Sequence, residues 1–153
     1  MQLNANELSH VLDVWPVARL ATQADDGWPG LVPIVFVALD GVIYSAVDGK
    51  PKRRGDLQRL HNVASHPQAA LLLDHYDDDW GALWWLRIHV RADVVAGAVQ
   101  PAVERALRAK YRQYRDVAVF RDPPRLMRMI VAGHVAWSAG PVDWLAIRKG
   151  AKQ

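Results

Sequence analysis

Leu31-Val32-Pro33-Ile34-Val35-Phe36-Val37-Ala38-Leu39 is the stretch on which the fold turns. Its residues do not alternate apolar with polar, so it reads as a strand buried on both faces, by a barrel interior on one side and something else, such as a dimer partner, on the other. Pro33 cannot donate a ladder hydrogen bond and marks an edge, a bulge or a place where a ligand replaces a neighbouring strand. Upstream, Val17 to Thr22 is a second apolar run, separated by the turn cluster Ala24-Asp25-Asp26-Gly27-Trp28-Pro29-Gly30. Downstream, Asp40-Gly41 leads into a third, Val42 to Val47. Two turns between β-rich runs predict a three-strand antiparallel meander.

The rest of the chain extends this pattern. Leu8, Val11, Leu12 and Trp15 recur at helical spacing after Asn4 or Asn6, either of which can cap, and Pro16 stops that helix. Leu57, Leu60, Val63 and Ala64 predict a second helix ending at His66-Pro67. Ala69 to Leu73 is a buried strand. Leu86, Ile88, Val90, Ala92 and Val94 alternate with Arg87, His89, Arg91 and Asp93, which gives a long strand with one wet face. Pro101 suits the first turn of a third helix, and Leu126 to Trp137 supplies the last strand. Strands joined mostly by tight turns favour a closed antiparallel sheet over a doubly wound parallel one, which would need helical crossovers throughout. The expected fold is a small, mainly β barrel of six to seven strands with short helices, in a single domain over residues 1–153.

Composition narrows the function. The 153 residues include no cysteine, which removes disulfides, thiolate catalysis and thiolate-bound metal. The formal net charge is +3, a mild bias that suits an anionic ligand and falls short of a nucleic-acid footprint. Arg105, Arg108, Arg112 and Arg115 could contact nucleic acid, but their spacing is also that of a solvated helix face. MQLNANELSH lacks a basic start followed by an apolar core, and no apolar run is long enough to span a bilayer, so a cytoplasmic location is expected. No G-x-S-x-G, G-x-x-x-x-G-K-[ST] or G-x-G-x-x-G pattern occurs, which leaves hydrolase, P-loop and Rossmann readings unsupported. His75 among Asp74, Asp77, Asp78 and Asp79 makes only a loose acidic cluster without a spaced-ligand pattern.

One cluster stands out. Lys50, Lys52, Arg53 and Arg54 place four cations in five positions directly before the second predicted helix, where unpaired backbone N–H groups and the helix dipole already favour an anion. From the residues alone it is either a solvated basic loop or a phosphate cradle. The tryptophans Trp80, Trp84 and Trp85 likewise serve either packing or a wall for a planar ring.

The motifs in order are Ala18-Arg19-Leu20-Ala21-Thr22, Asp26-Gly27-x-Pro29, Val32-Pro33-Ile34-Val35-Phe36, Asp48-Gly49-Lys50-Pro51-Lys52-Arg53, His66-Pro67 before Leu71-Leu72-Leu73-Asp74, and Asp78-Asp79-Trp80. Together they resemble the pyridoxamine-phosphate-oxidase-like (FMN-binding) split β-barrel superfamily, and within it the flavin/deazaflavin branch of coenzyme F420-dependent enzymes. The resemblance implies a homodimer with cofactor sites between protomers. It implies that Lys50 and Lys52, helped by Arg53, hold the cofactor phosphate. The resemblance further implies that Pro33, Ile34, Val35, Ser45, Ala46 and Val47 line the groove and that Trp80 borders the deazaflavin. Pro33 stands where relatives can carry a polar side chain, so a side-chain contact to the ring is missing there. The implied activity is hydride transfer from reduced F420 to a small organic acceptor, with no catalytic residue assigned; solvent or Tyr44 could supply a proton. The alternatives are an FMN-dependent oxidase or reductase of the same fold and a non-catalytic F420 or flavin carrier. No metal, membrane or nucleic-acid partner is implied.

Overall fold

The computed structural model describes residues 1–47, 57–97 and 100–148. In chain order the elements are α1 (Ala5–Val14), β1 (Ala18–Gln23), β2 (Pro29–Ile34), β3 (Val37–Leu39), β4 (Val42–Ala46), α2 (Gln58–Ser65), β5 (Gln68–His75), β6 (Trp84–Ala96), α3 (Pro101–Lys110) and β7 (Arg125–Ser138). Every strand pairing is antiparallel.

Local chemistry sets the helix limits. Asn4 Oδ1 accepts from the Asn6 and Glu7 amides while Glu7 bonds back to the Asn4 amide, a full capping box that satisfies N–H groups the first turn leaves free. Pro101 opens α3, where its missing N–H costs nothing. Asp40 and Gly41 both have positive φ, 50° and 78°, as a two-residue hairpin turn between β3 and β4 requires.

The meander expectation needs correction. The run 31–39 is not one strand: β2 ends at Ile34, β3 begins at Val37, and these two strands lie at opposite edges of the sheet, whose order is β2-β1-β5-β6-β7-β4-β3. In a flat sheet six strand spacings would separate the edges by roughly 29 Å. The three residue steps from Ile34 to Val37 reach at most about 11 Å. The sheet therefore curls until its edges meet, which makes a barrel with a split at Val35-Phe36. The double burial expected for the run also fails on β2: Leu31 is 67% exposed and Pro33 is exposed. Pro33 sits on an edge strand paired only with β1, where a missing donor is tolerated.

The barrel interior is filled by Leu20, Ile43, Leu71, Leu73, Leu86, Ile88 and Met129, all fully buried, each side chain contributing about 1.5–3 kcal/mol. A second cluster under α3 joins Val37, Tyr44, Val103, Leu107, Tyr111 and Tyr114. β6 buries Trp84, Leu86, Ile88, Val90 and Ala92 and exposes Arg87, His89, Arg91 and Asp93, as its alternation predicts. A register shift between His89 and Val90 leaves Ala132 of β7 without an opposite residue, and such a bulge bends the ladder as closure requires. Among the described residues no helix is long and apolar enough to cross a membrane.

Candidate cofactor and ligand site

The split between β2 and β3 is where the expected groove residues meet. Ser45 is buried, and its Oγ donates to the Val35 carbonyl at 2.9 Å. Ile34 and Val47 share the barrel core, whereas Ala46 and Val35 pack in the cluster under α3. Phe36 is pinned at both backbone groups: its N–H donates to the Tyr111 hydroxyl at 2.9 Å, and its carbonyl lies 2.7 Å from the same oxygen. The Pro16 carbonyl is 2.9 Å from that hydroxyl, so two carbonyls share one proton. Burial pushes the Tyr111 phenol well above its ordinary value of 10.0, against a smaller lowering by the Phe36 bond, so Tyr111 is a neutral brace. Tyr44 is 8% exposed and packed in the same cluster, which removes it from any open surface.

Beyond Ala46, the Val47 amide donates to the Arg125 carbonyl at 3.1 Å, and the Arg121 amide donates to the Val47 carbonyl at 3.0 Å. Lys50, Lys52 and Arg53 lie outside the described residues, between Val47 and Leu57. Both ends of that segment are defined. At one end, Arg125 Nε is buried without a hydrogen-bond partner among the described residues, a group that an anion would satisfy. At the other, α2 starts at Gln58 behind an N-cap, Leu57, that makes no side-chain bond, leaving first-turn N–H groups to other acceptors.

Trp80 occupies a single 3-10 turn, Trp80–Ala82, capped by Asp79 Oδ1 accepting from the Gly81 amide. Its indole is 70% exposed. The turn precedes Trp84, which pairs with Ser138, whereas Ala46 pairs with Leu126 near the far end of the same β6–β7 ladder. A single chain therefore gathers Ile34, Val35, Ser45, Ala46 and Val47 and leaves Trp80 at the other end.

Close to Trp80 lies a pocket that the sequence did not reveal. It measures about 400 Å³ and is walled by Leu72, Tyr76, Leu83, Trp85, Arg87 and Trp137. Trp85 and Trp137 face each other across β6 and β7 with centroids 6.4 Å apart and planes inclined by 16°. The Arg87 guanidinium carbon stands 5.7 Å from the Trp85 ring centroid. Asp74 also borders the pocket, but its Oδ1 is 3.2 Å from Arg19 Nη1. That contact is an ion pair without hydrogen-bond alignment, since the same oxygen has no hydrogen-bond partner. His75 stacks on Trp84 and faces Asp77 at 3.6 Å. Among the described residues no three His, Asp or Glu side chains are grouped to hold a metal.

A profile of the pyridoxamine 5′-phosphate oxidase family matches residues 6–138, which runs from the first turn of α1 to the last residue of β7. The chain belongs to that family. Solved structures agree on the fold. A conserved hypothetical protein from Mycobacterium tuberculosis is 17% identical over 99% of this chain and 92% of its own, with a TM-score of 0.68. HutZ, the heme storage protein from Vibrio cholerae, is 14% identical over 90% and 95%, with a TM-score of 0.66. An F420 reductase is 17% identical over 82% and 93%, with a TM-score of 0.56. At these identities the likeness is one of fold, the split barrel. No curated protein sequence matches the chain. The pyridoxamine 5′-phosphate oxidase match contains the whole of residues 34–47, the basic segment and the Trp85–Trp137 pocket.

Proposed function

We propose that the protein is an oxidoreductase that takes hydride from reduced coenzyme F420 and passes it to a small organic acceptor, working as a homodimer with its cofactor sites between protomers. The observation that carries this reading is the setting of Lys50, Lys52 and Arg53. In the chain they fall between Val47, whose amide donates to the carbonyl of Arg125, a residue whose buried Nε has no hydrogen-bond partner among the described residues, and Leu57, an N-cap that makes no side-chain bond. Four clustered cations repel unless an anion compensates them, and a cofactor phosphate is that anion. The cofactor supplies the hydride chemistry when bound. The chain's part is to anchor the phosphate and to line the ring with Pro33, Ile34 and Val35 on one side of the split and Ser45, Ala46 and Val47 on the other. Trp80 is assigned to border the ring from the partner protomer, because one chain leaves it far from that groove.

The outward face of the sheet supports the dimer. Leu31 and Ile130 are 67% and 53% exposed and share that face with Ala21, Ala70 and His89 by register. Exposed apolar side chains of this size on one face mark an interaction surface.

Titration of the protein with F420 and, separately, with FMN tests the proposal. F420 should bind the wild type, and Lys50→Ala/Lys52→Ala should weaken it by at least about tenfold, since each charge-assisted phosphate contact contributes about 1.5–3 kcal/mol. A preference for FMN would reassign the cofactor. Tight F420 binding without turnover of any acceptor would make the protein a carrier.

A further inference from the structure

We propose that the free edge of β3 is a docking site for an extended segment of a partner protein, taken up as an added strand. Among the described residues β3 pairs only with β4, with Val37, Ala38 and Leu39 set against Tyr44, Ile43 and Val42. Leu39 and Val42 flank the two-residue turn Asp40-Gly41, so they exchange ladder hydrogen bonds, and in an antiparallel pair the next residue, Ala38, does not. A second contact fixes the same phase. Phe36 gives its N–H and carbonyl to the Tyr111 hydroxyl rather than to β4, and the period of two along a strand carries that outward direction to Ala38. Among the described residues no loop or side-chain hydrogen bond reaches Ala38. Its N–H and carbonyl are therefore a template for another strand.

The edge opens onto a cavity of about 750 Å³ between β3, the last turn of α1, α3 and residues 145–148. Its far wall is anchored: His10 Nε2 donates to the Ile147 carbonyl at 2.9 Å, and Trp144 is buried in the barrel core. Val14, Leu39 and Leu145 make the cavity largely apolar, and Leu145 is 54% exposed. Asp13 and Arg148 line the same cavity, and among the described residues neither has a charged partner. An acyl anion would leave Asp13 unmatched, and an organic cation would leave Arg148 unmatched. An unpaired N–H and carbonyl on one residue, apolar walls and one charge of each sign are together complementary to an extended polypeptide. The segment that fits carries apolar residues between a basic and an acidic one. None of the lining residues comes from β1, β2, β5, β6 or β7, so the groove lies apart from the face assigned to the dimer. It also stands independently of the redox reading.

Fluorescence anisotropy of the labelled, end-capped peptide Lys-Val-Thr-Val-Glu, and of the reversed sequence, tests the site on the full chain. Its lysine matches Asp13, its glutamate Arg148, and its valines the apolar walls. One of the two orders should bind saturably, unchanged in Lys50→Ala/Lys52→Ala. Ala38→Pro should weaken it about tenfold, because a backbone hydrogen bond is lost, while Tm holds, since proline is tolerated where an edge N–H faces outward. Methylating the peptide nitrogens one at a time should weaken binding at alternate residues only, as a strand laid against β3 requires. If Ala38→Pro fails to fold, that alternation on the wild-type protein decides. Absence of saturable binding by either order, or indifference to methylation at every position, would overturn the proposal. So would octanoate that displaces the peptide and binds Ala38→Pro as well as wild type, which would make the cavity an acyl-anion site. A lower oligomeric state in Ala38→Pro by sedimentation would give the edge to a second copy of the chain and also overturn it.

Discussion

The Tyr111 hydroxyl accepts from the Phe36 amide at 2.9 Å and stands 2.7 Å from the carbonyl of the same residue. One side chain from the end of α3 thus satisfies the backbone at the point where the barrel splits, in place of the strand neighbour that Phe36 lacks. Tyr111→Phe strands a buried amide and two carbonyls, and should cost about 2 kcal/mol, or roughly 4–8 °C in Tm. Calorimetry at neutral pH checks this.

The same residue sets an alkaline limit. Its folded phenol is raised above the ordinary 10.0, so its contribution is complete below pH 10 and is lost above it, where the unfolded chain ionises and the folded one does not. Wild type should therefore lose stability above about pH 10 more steeply than Tyr111→Phe. Denaturant midpoints of the two proteins between pH 8 and pH 11 read the difference directly.

Ser45→Ala removes the donor to Val35 at the split. The part-buried carbonyl loses its Ser45 donor, at a cost of about 0.5–1.5 kcal/mol. Urea midpoints measure it, with an unchanged slope showing that the barrel still unfolds as one unit.

Gly30 of β2 is closely approached. An added Cβ would lie 2.8 Å from Thr22 Oγ1 and 3.0 Å from Asn62 Nδ2, two buried groups that bond to each other at 2.9 Å. Gly30→Ala should push them apart and cost about 1–3 kcal/mol. At Gly133 an added methyl meets nothing within 4 Å, so Gly133→Ala should stay within about 0.5 kcal/mol of wild type.

Asp25 joins the β1–β2 turn to the end of α2, with one carboxylate oxygen 3.0 Å from His61 Nε2 and the other 3.0 Å from His66 Nε2. Its carboxyl is lowered from 3.8 first by the His61 hydrogen bond and then by that of His66. A depressed pKa stabilises the fold above the ordinary carboxylate range and ceases to do so as pH falls through it. Asp25→Asn should lower Tm slightly at pH 6, an exposed pair contributing little, and the gap should close below the ordinary 3.8. Thermal scans down the pH range test that sign.

Most of the elements could be read from the sequence because their signals are local. The alternation of β6, the Pro101 start of α3 and the Asp40-Gly41 turn each depend on a few adjacent residues. The split at Val35-Phe36 was hidden, since Val35, Phe36 and Val37 continue the apolar run without a breaker, and only Tyr111, far along the chain, ends the ladder there. The residues expected to line a groove, Ile34, Val35, Ser45, Ala46 and Val47, lie beside one split. Trp80 does not join them, for want of any local sign of which end of the ladder it caps. The Trp85–Arg87–Trp137 pocket escaped notice because Arg87 read as the wet face of β6 and Trp85 only as one of a tryptophan cluster, and the register that brings Trp137 opposite Trp85 leaves no mark in either strand.

The β3–β4 hairpin also bears on how the protein is made. Among the described residues its only sheet partner is β7, with Ala46 opposite Leu126, and the intervening chain takes roughly 4–16 s to synthesise at 5–20 residues per second. Throughout that interval the hairpin lacks its strand neighbour, so the barrel closes only once the ribosome has delivered its last strand. Nascent chains stalled before Arg125 should be cut readily by protease near Val42–Ala46, and chains that have released the whole of β7 should resist.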